Sequence, residues 1–114
     1  MSLGIDRPTA EQLAAAQDAD MGRALLTLYR SAKQPVLADL GRALPSAAAR
    51  PGLALVASED HHVGTVDQRR RAAGLAGAHV EILEGAGHWW MTQDPAGAAA
   101  VLATFWSSVP APLS

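Results

Sequence analysis

Cysteine is absent from the 114-residue chain, which excludes disulfides and thiolate metal sites. Aromatic residues are scarce, at 4%, and much of the 49% apolar content is alanine. Alanine buries little area, so the expected core is thin for the length. No apolar run approaches the ~20 residues that cross a bilayer as a helix. The first residues show no basic segment followed by an apolar core, so no secretory signal is expected. Charge of one sign is lacking too: the formal net charge is −2, with four histidines. That balance argues against nucleic acid or an anionic membrane as a partner. The expectation is a soluble cytoplasmic protein, one domain or part of one. Met1-Ser2-Leu3 reads as a vector-derived leader without structural weight. There is no internal repeat.

What is present divides at about residue 50. The first part has helical periodicity. Thr9 and Gln12 fit a capping box after Pro8, with a short helix through Ala16. Asp18 or Asp20 then caps a better one, in which Met21, Ala24, Leu25, Leu28 and Tyr29 share a face. A third short helix runs from about Pro35 to Ala43 and is stopped by Pro45. Residues 45–52 read as a linker, and there the period changes. Leu53-Ala54-Leu55-Val56-Ala57 is a continuous apolar run suited to a parallel strand buried on both faces. A polar loop, 58–64, leads to a capping box of Thr65 and Gln68 and a helix to about Ala76, ended by Gly77. His79 to Leu83 is a second strand, with Val80 and Ile82 on one face. A glycine-containing loop, 84–93, precedes Asp94 as cap and Pro95 at the first position of a last helix. Ala98, Val101, Leu102, Phe105 and Val109 form its apolar stripe.

Strands alternating with helices imply an α/β fold with parallel strands and right-handed crossovers. Chemistry in such sheets sits in loops at the carboxyl ends of the strands, and both polar loops lie there. Asp60 falls three residues past the first strand and His88 five past the second. Adjacent parallel strands are about 5 Å apart, so these loops can bring a carboxylate to an imidazole. A carboxylate on one ring nitrogen fixes the tautomer and stabilises the imidazolium, freeing the other nitrogen as general base. Gly85 and Gly87 let the backbone turn tightly around His88.

These residues carry a resemblance. Residues 51–109 resemble the C-terminal end of the α/β-hydrolase fold superfamily. The segment LALVASEDHHV, 53–63, is similar to the family's strand and acid loop, with Ala57 where a glycine usually stands and Asp60 on the acid. Gly85-Ala86-Gly87-His88 is similar to the histidine loop. Gln93-Asp94-Pro95 falls where the family often opens its last helix with Glu-x-Pro. Residues 18–50 look more loosely like the end of a helical cap. The resemblance implies a partial α/β-hydrolase fold, with a cap-like segment at 1–50 and a C-terminal βαβα part of the core at 51–114. It implies catalytic roles for Asp60 and His88 and no cofactor. Hydrolysis of a carboxylic ester or a similar small substrate is the expected activity, and the fold also hosts epoxide, carbon–halogen and carbon–carbon cleavage.

The nucleophile of that family lies on a G-x-S-x-G-type turn upstream of the acid, and no such motif occurs here. The chain therefore reads as a fragment or truncated form of a hydrolase, inactive without the missing half. The alternative is a non-catalytic remnant serving as an oligomerising or interaction module. Glu59 is a second candidate acid, and Ser58 a remote candidate nucleophile. His61, His62 and His88 with Asp60 have ligand types suited to zinc, although adjacent histidines usually diverge. Trp89 and Trp90 are candidates to line a substrate pocket, against core packing for one and a surface or interface place for the other; Tyr29 is a candidate hydrogen-bond donor to substrate, with packing as its plainer role. Arg69-Arg70-Arg71 reads as a solvated face. Two parallel strands alone leave both sheet edges open, so a homo-oligomer or a complementing chain is expected, with the Met21 to Tyr29 stripe as a surface for it.

Overall fold

A computed structural model describes residues 4–111, so the leader reading of Met1-Ser2-Leu3 lies outside the described residues. The protein is a mixed α/β chain with a small two-stranded parallel sheet. Helices α1 (Arg7–Ala15), α2 (Ala19–Ser31) and α3 (Val36–Arg42) come first, followed by a 3₁₀ turn at Leu44–Ala49. Then come β1 (Leu53–Ala57), α4 (Val66–Leu75), β2 (His79–Leu83), the single turn α5 (Trp90–Gln93) and α6 (Pro95–Ser108).

Local chemistry explains most of these bounds. The cap of α1 is Asp6, one turn earlier than the Thr9 expected. Its Oδ1 accepts the Thr9 amide at 3.0 Å and its Oδ2 the Thr9 hydroxyl at 2.8 Å. A carboxylate can take both donors at once, and Pro8 fits the first turn because it has no N–H to leave unpaired. Asp18 caps α2, accepting the Met21 amide at 2.8 Å. The expected linker from Pro45 begins as a 3₁₀ turn: the proline cannot continue α3, but its fixed φ suits the first turn of a tighter helix. Thr65 and Gln68 form a reciprocal capping box on α4. Gly77 takes φ +64, the left-handed conformation that ends the helix and turns the chain into β2. Asp94 caps α6 by accepting the Gly97 amide at 3.0 Å, with Pro95 in the first turn.

The strands pair in register from Leu53 opposite His79 to Ala57 opposite Leu83. Val56 is 1% exposed and is the largest fully buried side chain among the described residues. Ala57, Ala73 of α4 and Ala98 of α6 complete a small core. Alternate residues of the other face, Leu53, His79 and Glu81, line a groove of about 560 Å³ with Val101 and Phe105 of α6. None of its lining residues belongs to the two strand-end loops.

The three N-terminal helices do not form a cover for the sheet. α1, α2 and α3 bury no residue, and their larger contacts reach only the 3₁₀ turn that follows. α1 is alanine-rich and α3 only seven residues long, so each offers little apolar area to a two-stranded sheet. The stripe on α2 stays open to solvent: Leu28 is 63% and Tyr29 74% exposed. No helix among the described residues is long and apolar enough to cross a membrane.

Candidate functional site

The two loops beyond the sheet are bonded to each other before any side-chain chemistry begins. The ladder continues past the strands, with the Ser58 amide donating to Leu83 O at 3.1 Å and the Glu59 amide to Ala86 O at 2.9 Å. The Gly85 amide, at a residue with φ +73, donates to Ser58 Oγ at 2.9 Å. Ser58 is thus a brace between the acid and histidine loops, and its oxygen faces the Gly85 backbone.

Asp60 closes a turn at the end of β1, its amide donating to Ala57 O at 3.3 Å. Its residue exposure is only 6%. Oδ1 accepts the His62 amide at 2.9 Å, and Oδ2 lies 3.0 Å from His88 Nδ1. A buried carboxyl left to itself would be pushed up in pKa. Here burial acts in that direction, but the His62 amide, the His88 hydrogen bond and the charges of His88 and Arg69 outweigh it. Asp60 is therefore held below its ordinary value of 3.8 and is ionised at neutral pH. An ionised carboxylate only accepts, so a neutral His88 places its proton on Nδ1 and its lone pair on Nε2.

His88 is held from the other side as well. The Gly87 amide donates to Gln93 Oε1 at 2.8 Å, and the Trp90 amide to Gly87 O at 3.1 Å, so α5 and its last residue fix the approach to the ring. The His62 ring meets the His88 ring edge-on at 5.3 Å, and the Trp89 ring does so at 6.2 Å. The His88 side chain is 44% exposed. Among the described residues its Nε2 has no hydrogen-bond partner.

The structure therefore joins Asp60 to His88 and sets Trp89 beside them. Tyr29 lies exposed on α2, and among the described residues no hydrogen bond or ring contact links it to the pair. Glu59 is exposed and faces His61, 3.6 Å away, rather than His88. Trp90 lines a groove behind the histidine loop with Ile82, Gln93 and Asp94. His61 and His62 diverge, and among the described residues no three His, Asp or Glu side chains converge as metal ligands. The reading of 69–71 as a solvated face is corrected at one position. Arg70 and Arg71 are exposed, whereas Arg69 is half-buried and donates to Ala57 O and Asp60 O. Its place four residues after the Thr65 cap was the available signal, because side chains in the first turn run back toward the strand ends. Gln93 was noted only as a stand-in at a helix opening, and its bond to Gly87 was missed.

No protein-family model, curated protein or solved structure matches this chain.

Proposed function

We propose that the chain supplies the acid and the general base of a hydrolase-type site acting on a carboxylic ester or similar small substrate. The observation that carries this reading is the pairing itself. A buried, ionised Asp60 accepts from His88 Nδ1, and the opposite nitrogen, on a half-exposed side chain, has no hydrogen-bond partner among the described residues. That polarity suits proton abstraction at Nε2, followed by return of the proton to a leaving group. The resemblance of residues 51–109 to the C-terminal end of the α/β-hydrolase fold supports the same roles and a partial form of that fold. Among the described residues no hydroxyl bonds to Nε2, so in this reading the nucleophile and the oxyanion donors would have to be supplied by other residues.

The imidazole alone can still be tested. With an activated aryl acetate, Nε2 can attack the carbonyl and expel the phenolate, giving an acyl-imidazolium whose Nδ1 proton faces Asp60; water then hydrolyses it to acetate, and the protons released pass to solvent. The purified chain should release phenolate slowly and in a His88-dependent manner. An unchanged rate in His88→Ala refutes the reading.

A second reading has its own observation: the uncovered α2 stripe and two unpaired strand edges fit a module that associates with another copy or chain. Light scattering on the eluting peak in gel filtration decides this. A dimer supports it, and a monomer at every concentration opposes it.

A further inference from the structure

We propose that Arg69 is the positioning residue of the acid–histidine pair, a fork that holds the Asp60 turn so that its carboxylate meets His88. The inference rests on the general-base reading of that pair.

The turn from Ala57 to Asp60 is closed by a single long backbone bond of 3.3 Å. It leaves carbonyls at the carboxyl end of β1 that no strand partner satisfies. Arg69 lies in the first turn of α4 and reaches back to them. Nη1 donates to Ala57 O at 2.9 Å and Nη2 to Asp60 O at 3.1 Å, while Nε lies 3.4 Å from Thr65 O. One planar guanidinium thus ties together the last residue of the strand, the acid and the cap of the next helix. Its positive charge also favours the ionised form of Asp60, though no direct salt bridge joins them. Lysine cannot reproduce this, since an ammonium is a point donor without a rigid fork. Arg70 and Arg71, exposed on the same helix, make no such contact and serve as controls.

A merely structural staple would affect stability alone, whereas a positioning residue also changes the ring it aims. Long-range proton–nitrogen correlation spectra report which nitrogen of His88 carries the proton. In the neutral ring of the wild-type chain one form, protonated at Nδ1, is expected. Arg69→Ala should convert this to mixed tautomers while the protein remains folded. The His88-dependent cleavage of an aryl acetate should fall on the order of 10- to 100-fold, the scale expected for an ångström of misplacement. Arg69→Lys keeps the stem and the charge and covers the case in which the alanine variant does not fold. It should already show a shifted tautomer pattern, and Arg70→Ala should not. A folded Arg69→Ala or Arg69→Lys with the wild-type pattern overturns the proposal. Absence of ester cleavage in the wild-type chain refutes the functional reading instead, because the spectra test Arg69 without turnover.

Discussion

Replacing Asp60 by asparagine changes one atom and sets two donors against each other. The carboxylate accepts from the His62 amide through Oδ1 and from His88 through Oδ2. An amide offers only one oxygen. The backbone N–H of His62 cannot change, but imidazole can move its proton. The amide oxygen therefore stays on His62, the amide NH₂ faces His88, and the ring shifts its proton from Nδ1 to Nε2. The lone pair then points at position 60, and the base is lost. Hydrogen bonds to a charged group contribute about 1.5–3 kcal/mol and neutral ones about 0.5–1.5. The loss is therefore about 1 kcal/mol for the His62 bond and less for the half-exposed His88 bond, or about 1.5 kcal/mol together. In urea that moves the midpoint down by about 0.5–1.5 M. Asp60 is depressed below its ordinary value of 3.8 in the folded chain, so its contribution is fully present above that value. It is lost as pH falls through the folded value. The stability gap between the wild-type chain and Asp60→Asn should thus be present at neutrality and close on acidification through the folded Asp60 value. Urea titrations over pH, with His88 nitrogen spectra, measure both effects. A gap that persists in strong acid, or a variant that keeps its proton on Nδ1, refutes the reasoning.

Other perturbations have equally definite outcomes. Gly77→Ala places a Cβ at φ +64, about 2.6 Å from the Ala48 Cβ, and should destabilise the chain by about 2–3 kcal/mol in a denaturation curve. Val56→Ala truncates the largest fully buried side chain among the described residues and should cost about 2 kcal/mol by the same measurement, with little effect on the His88 signals. If α2 is an association surface, Leu25→Glu with Leu28→Glu should turn a dimer into a monomer in light scattering and leave the far-ultraviolet spectrum unchanged. Gln93→Ala frees the Gly87 amide and should speed its hydrogen exchange well beyond that of the β2 amides.

The strands, the Thr65 capping box and the Asp94-Pro95 start were legible because each rests on a local pattern: an apolar run, a Thr-x-x-Gln spacing, an acid before a proline. The contact of Asp60 with His88 was legible for a topological reason, since adjacent parallel strands deliver their loops to one edge. What was not legible depends on direction rather than period. Arg69 was grouped with Arg70 and Arg71 as charge, and only the backward lean of its side chain separates it from them. Ser58 and Gln93 act on backbone amides of the histidine loop, and no spacing rule marks such a bond. The cap of α1 was misplaced because Asp6 and Thr9 both fit a cap, and the carboxylate takes both donors. Helical periodicity in the first 50 residues gave the helices but not their docking, because an apolar stripe does not say what covers it.

The hydrogen bonds that aim His88 arise almost wholly within one stretch of chain, from β1 to the end of α5, across a separation of 28 residues between acid and base. The pair is therefore self-contained within that stretch. Recombination that joined residues 53–94 to a different upstream sequence would carry the orientation of the imidazole with it, whereas a one-residue slip of β1 against β2 would break it at once. Register in this small sheet is thus also alignment of the site, and a mutation far from the loops that loosens the pairing should register there first.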